Sequence, residues 1–139
     1  MIRTVISKDL SDDAKMIREE VFVKEQKFKK EFDETDDISE HIVIYEDELP
    51  IACCRFYKKN MSEYVVGRIA VLKRCRGKHI GEKLMRDVED AVIKRGGTKL
   101  SLSAQLRVSV FYKKQGFVPT GNTYFDEYCE HIKMEKNLI

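Results

Sequence analysis

The clearest period in this chain lies near its end. In "YCEHIKMEK" the residues Cys129, His131 and Lys133 alternate with Ile132 and Met134, and a period of two predicts a strand. Shorter apolar or alternating runs predict further strands at residues 2–6, "HIVIYED", "IACCRFYKK", "EYVVGRIAVL", "TKLSLSA" and "GFVPT". The "DELP" turn joins the second and third of these as a hairpin. Gly67 interrupts the fourth, as glycine does at a bulge or a close backbone approach. Two stretches carry the helical period instead. Ile80, Leu84, Val88, Ala91 and Val92 form one face of a helix over about 79–95, ended by Gly96 with Lys94 and Arg95 in its last turn. An earlier helix starts within Asp9–Asp13 and runs to about Lys24, with Ile17, Val21 and Phe22 on its buried face. "RVSVFYKKQ" reads as a short helix ended by Gly116, and residues 27–40, acidic and aperiodic, read as a loop. The order β α β β β α β α β β predicts an α/β fold with a mixed sheet crossed by helices.

Composition narrows the class. At 139 residues, 42% hydrophobic and 36% charged, the chain is expected to form a single domain over 1–139. Its apolar runs fall short of the ~18–20 residues of a membrane span, and "MIRTVISKDL" lacks a signal-peptide core. A cytoplasmic protein is expected. Cys53 and Cys54 should face opposite ways in one strand, Cys75 and Cys129 stand alone, and no C-x-x-C pair occurs. These thiols suit a reducing compartment, and the short Cys and His pairings supply too few ligands for a metal site.

Net charge is only +2, yet residues 19–48 hold twelve acids against four bases, and residues 68–83 hold six bases against one acid. Near-neutrality argues against broad nucleic-acid binding, and the basic patch has few interleaved aromatics. The asymmetry suggests one region for an anion and another for a cation. On that basis Asp33, Glu34 and Asp36 are expected to attract a cationic substrate.

The anion region is "VLKRCRGKHIGEKL", residues 71–84. Gly77 and Gly81 have three residues between them and Glu82 follows, so neither a Walker loop nor a dinucleotide fingerprint is present. A strand, a basic glycine-containing turn and a helix remain. The first N–H groups of a helix have no internal partner and favour an anion, and glycine lets the backbone approach it. A pyrophosphate fits that description.

"RGKHIG" resembles the R/Q-x-x-G-x-G/A signature of the GNAT superfamily of N-acetyltransferases, with Arg76 first, Gly81 last and His79 where glycine is usual. "AQLRVSVFYKKQGF" resembles the later family block, with Gln105 for asparagine, Val108 for alanine, and Tyr112, Gly116 and Phe117 in register. "VFVKEQKF", "FDETDD", His41 and "EHIKM" are similar to the small bacterial ElaA-type branch. The resemblance spans nearly the whole chain.

The resemblance implies the GNAT fold, a mixed central sheet whose fourth and fifth strands splay apart to admit acetyl-CoA. Ile69, Ala70 and Val71 would hydrogen-bond the pantetheine arm as an added strand, one of their N–H groups polarising the thioester carbonyl. Arg76, Gly77, Lys78, His79, Ile80 and Gly81 would bind the pyrophosphate, and Gln105 the pantetheine amides. Tyr112 would be the general acid for the CoA thiolate, since a phenol of pKa ~10 is protonated at neutral pH. The attacking amine must first lose a proton. Glu34 and His41 are the candidate bases, while Glu25 and His131 are candidates for the acceptor side. The implied activity is direct acetyl transfer to the primary amine of a small molecule or peptide, with no metal, no nucleic acid and no membrane partner. A homodimer is compatible with this reading. The alternative is a CoA-binding sensor or interaction module on the same fold.

Overall fold

A computed structural model describes residues 1–138. The backbone forms two compact units, Met1–Tyr57 with Val66–Val88, and Lys58–Val65 with the residues from Glu89 onward. Seven strands hydrogen-bond in the order β1-β2-β3-β4-β5-β7-β6.

In the first unit, β1 (Ile2–Ser7), β2 (Glu40–Glu46) and β3 (Leu49–Lys58) form an antiparallel meander. The β2–β3 hairpin turns at Asp47, which takes φ of 55°, and its register shifts between Ile44 and Tyr45. Helix α1 (Asp12–Arg18) begins on Ser11, whose hydroxyl accepts the Ala14 N–H at 3.2 Å, an N-cap that satisfies one of the helix's orphan donors. The chain then widens into a π-helical segment, Glu19–Glu25, which closes with Gln26 N–H to Val21 C=O at 3.1 Å. The expected single helix to Lys24 is therefore two kinds of helix in series. Ala14, Ile17, Arg18, Val21 and Phe22 form its buried side. The 27–40 segment, expected as loop, contains one short helix, α2 (Thr35–Ile38). Cys53 and Cys54 are both buried, so both faces of β3 are covered. Burial pushes the Cys53 thiol up to about 12 and also raises the Cys54 thiol well above its ordinary value, which leaves both unreactive.

Strand β4 (Glu63–Val71) belongs to both units. In the second unit its first residues pair in parallel with β5 (Lys99–Gln105) through Glu63–Lys99, Tyr64–Leu100 and Val65–Ser101. The parallel ladder ends there, while β5 stays paired with β7 (Cys129–Asn137) as far as Gln105–His131. Strand β6 (Val118–Asp126) pairs antiparallel with β7 with a register shift between Thr120 and Tyr124. It runs on well past the predicted "GFVPT". Helix α4 (Ser109–Lys114) follows a short 3-10 turn at Leu106–Val108.

Of the predicted apolar face of helix α3 (Ile80–Lys94), Leu84 and Val88 are buried in the first unit and Ala91 and Val92 in the second, while Ile80 is half-buried; Met85, not predicted, is buried beside Leu84. Thr4 Oγ1 donates to Asp87 Oδ2 at 2.7 Å, tying α3 to β1. Apart from α2 and the short 3-10 turns, the element order agrees with the order read from periodicity.

Candidate functional site

Three arginines and three carboxylates close a ring of alternating charge inside the first unit. Arg18 Nε meets Glu31 at 2.8 Å, and Glu31 meets Arg68 Nε at 3.0 Å. Arg68 Nη2 meets Asp33 at 3.3 Å, and Asp33 meets Arg55 Nη1 at 2.6 Å. Arg55 Nη1 also meets Asp36 at 2.9 Å, and Asp36 returns to Arg18 Nη1 at 2.7 Å. Arg18, Glu31, Asp36 and Arg55 are buried. A guanidinium presents donors in a planar fork, so each arginine can serve two acids at once. The Phe32 ring covers Arg18, with the guanidinium carbon 4.7 Å from its centroid. Burial works to raise the Asp36 carboxyl, but the Arg18 and Arg55 hydrogen bonds outweigh it and hold the group down at about 2. At Glu31 burial wins over Arg68 and Arg18, and its pKa is raised.

The ring corrects the expectation that Asp33, Glu34 and Asp36 act together on a cationic substrate. The charges of Asp33 and Asp36 are matched within the protein, and only Glu34, at the start of α2, is exposed. None of Arg18, Arg55 and Arg68 was singled out from the sequence. The available signal was their position: Arg18 lies on the apolar side of its helix, and Arg55 interrupts an otherwise apolar strand. A charge in such a place needs a buried partner, and the surplus of acids at 31–36 supplies it.

His41, a candidate base, is 2% exposed and donates Nε2–H to the Asp36 carbonyl at 3.0 Å. Burial lowers its pKa, so the imidazole is neutral at pH 7. It braces the segment that carries the ring.

Past the ring, β4 leads into the basic turn. Arg68 takes φ of 52° in mid-strand, immediately after Gly67. The irregularity predicted at the glycine is borne by its neighbour, whose side chain is fixed by Glu31 and Asp33. Ile69 and Val71 are half-buried and Ala70 is buried. Leu72 N–H reaches Ile51 C=O at 2.9 Å, and Lys73–Cys75 make a 3-10 turn. Arg76 is extended, then Gly77 and His79 both take left-handed backbone, with φ of 79° and 63°. Gly77 has no heavy atom within 4 Å of where a Cβ would stand, so conformation rather than crowding calls for glycine. Helix α3 starts at Ile80, and Lys83 N–H donates to His79 C=O at 3.2 Å as its first turn. The N–H groups of Ile80, Gly81 and Glu82 thus precede the helical ladder and can be offered to an anion. Lys73, Arg74 and Lys78 are exposed around them. His79 Nδ1 donates to Glu82 Oε1 at 2.8 Å, so the imidazole lies back along its own helix.

The Arg76 side chain turns toward the end of β4. Its Nε donates to Val71 C=O at 3.0 Å, and its two terminal nitrogens meet both oxygens of Glu25 at 2.6 and 2.8 Å. Glu25 closes the π-helical segment.

In the second unit, Gln105 at the end of β5 is the register partner of His131 on β7. His131 is buried, stacks on Tyr124 with centroids 6.0 Å apart, and shares a hydrogen bond from Nδ1 to Cys129 C=O at 2.9 Å. Tyr124 in turn hydrogen-bonds Ser103. Tyr112 on α4 is buried edge-on between Phe111 and Phe117, at 5.1 and 6.1 Å between centroids. Gly116, φ 96°, ends that helix as read from the sequence. Among the described residues no group of three or more His, Cys, Asp or Glu is arranged to hold a metal ion, and no helix is long and apolar enough to cross a membrane.

Comparison with known proteins gives the same family from two directions. A family model described as an acetyltransferase (GNAT) domain matches residues 6–138. The uncharacterized N-acetyltransferase YjcF of Bacillus subtilis is 36% identical over 98% of this chain and 100% of its own length. The crystal structure of Escherichia coli ElaA superposes with a TM-score of 0.84 at 26% identity, covering 98% of this chain and 99% of that one. A GNAT family acetyltransferase from Elizabethkingia anophelis, solved with acetyl-CoA bound, shares the fold with a TM-score of 0.78 at 15% identity, over 98% and 97% of the two chains. With a strand running into a basic helix-start turn and a family match along almost its whole length, the chain belongs to the GNAT acetyltransferase family and is an acyltransferase.

Proposed function

We propose that this acyltransferase is a single-domain enzyme that moves the acetyl group of acetyl-CoA directly to the primary amine of a small molecule or peptide. The observation that carries the donor assignment is the turn at 76–81. Left-handed Gly77 and His79 lead into a fifteen-residue helix whose first N–H groups are uncommitted to its ladder. That arrangement suits a diphosphate, and the acetyl-CoA bound to the Elizabethkingia fold neighbour supports the same donor.

In this reading Ile69, Ala70 and Val71 offer backbone groups to the pantetheine arm, and one N–H stabilises the oxyanion. Gln105 holds a pantetheine amide. The neutral amine attacks the thioester carbonyl; the C–N bond forms, the C–S bond breaks, and the thiolate takes a proton from Tyr112. Of the two candidate bases, the buried neutral His41 is a brace, and the exposed carboxylate of Glu34 receives the amine's proton. His131, stacked on Tyr124, lines the acceptor side.

The test is release of free thiol from acetyl-CoA across a panel of amines, amino sugars and peptides. Tyr112→Phe should lower kcat about 10²-fold or more while leaving the Kd for CoA within about twofold, as loss of one general acid does. CoA binding with no turnover on any acceptor would favour a non-catalytic sensor. Failure to bind CoA would overturn the donor assignment.

A further inference from the structure

The pairing of Arg76 with Glu25 has no place in that scheme. Arg76 opens the turn, and in that reading it is one of the residues that bind the diphosphate. Its guanidinium is already taken by a carboxylate through two parallel bonds of 2.6 and 2.8 Å, the geometry that also suits a phosphate. Its Nε bonds the carbonyl of Val71, the last residue of β4. One side chain therefore engages both a strand-end carbonyl and a carboxylate. The carboxylate comes from a distinctive element. Glu25 is the last residue of a π-helical segment, a form that recurs at functional positions. The far end of that segment is fixed, since Arg18 precedes it and lies in the buried ring. Just past Glu25 the backbone passes through a left-handed residue, Lys27, with φ of 65°. Both partners of the pair are partly exposed, at 39% and 33%, so the contact can exchange with a dissolved anion.

We propose that Glu25 sets the affinity of the turn for its diphosphate: its carboxylate occupies Arg76 as an internal surrogate anion, and the donor must displace it to use the guanidinium. This rests on the donor assignment above. Displacement breaks the contact between the turn and the last residue of the 19–25 segment. A competing internal contact reduces apparent affinity by the fraction of molecules in the open state. A closed state populated about four-fifths of the time corresponds to a factor of about five.

The experiment is calorimetric titration of the whole protein with CoA and with pantetheine, which lacks the diphosphate. Glu25→Gln should tighten CoA about fivefold and leave pantetheine unchanged. In an Arg76→Gln background the same substitution should have no effect on CoA. Glu20→Gln removes a charge from the same segment, at an acid paired with Lys24, and should change CoA binding less than about twofold. Equal or weaker CoA binding in Glu25→Gln overturns the proposal while leaving the donor assignment standing. So does a gain that persists without Arg76 or is matched by Glu20→Gln. Absence of CoA binding in the wild-type protein and every variant removes the donor assignment, and this proposal with it.

Discussion

Arg18 shows how much one side chain can decide. It is among the largest fully buried residues of the chain, at 1% exposure. Its guanidinium hydrogen-bonds the Glu31 carboxylate, the Glu31 carbonyl and the Asp36 carboxylate. Replacing it with alanine leaves two buried carboxylates short of a partner, which costs about 3–5 kcal/mol. Urea unfolding of Arg18→Ala should show that loss; a loss below about 1 kcal/mol would mean that solvent reaches the ring and takes over the pairing. His79 is a contrasting case. It holds a left-handed backbone, φ 63°, with a side chain that is 80% exposed and bonded to Glu82. An exposed contact of that kind contributes little, whereas a non-glycine residue in that region costs about 1 kcal/mol. His79→Gly should therefore leave stability unchanged or raise it by up to about 1 kcal/mol, read from the thermal midpoint. A loss of that size would show that the imidazole is a needed cap. The residue where the family prefers glycine is accommodated at the helix start by strain, outside the helix itself.

Among the elements, the ends of α3 differ. Its start follows exposed residues, Lys78 and His79, and its finish is packed. Gly97, one residue beyond left-handed Gly96, passes so close to Val92 that an added Cβ would stand 2.4 Å from Val92 Cγ1 and 2.8 Å from Tyr64 Cδ1. Gly97→Ala should destabilise by about 1–3 kcal/mol through overpacking, measured by chemical denaturation. The period of 3.6 announced this helix and Gly96 announced its end, because its apolar stripe and its C-terminal glycine are both local features. The π-helical widening at Glu19–Glu25 left no such trace. Val21 and Phe22 are buried as their spacing predicts, and the same apolar residues serve either kind of helix. The 27–40 segment was legible only as polar and aperiodic. That it carries a helical turn at Thr35–Ile38 and half of a buried ion network follows from partners on α1, β3 and β4.

At the scale of the whole molecule, the ring makes folding stability depend on acid. The Asp36 carboxyl sits at about 2 when folded, below its ordinary 3.8. A depressed carboxyl contributes stability that is complete above the ordinary value and is lost as pH falls through the folded one. The Asp33 carboxyl is lowered too, its Arg55 and Arg68 partners outweighing burial. Glu31 has the opposite sign: its raised pKa contributes below 4.5 and is lost as pH rises through the folded value. The unfolding free energy should therefore fall between about pH 4 and pH 2. Asp36→Asn should be less stable at neutral pH and show a shallower fall across that window. Parallel pH curves for the two proteins would place the acid sensitivity elsewhere.

The sequence by itself determined the order of the strands and longer helices, the amphipathic face of α3, the turns at Gly96 and Gly116, and the basic, glycine-containing character of residues 76–81. Each depends on residues adjacent in the chain, where period, capping and backbone freedom act over a few positions. The spacing of Tyr112, Gly116 and Phe117 was legible as family resemblance for the same reason. The tertiary structure alone decided that Asp33 and Asp36 are structural, that His41 braces them, that Arg68 carries the irregularity beside Gly67, and that Glu25 holds Arg76. Those outcomes join residues from 5 to 51 positions apart. A charge count along the chain cannot see them, since a carboxylate's role is set by the guanidinium that folding brings to it.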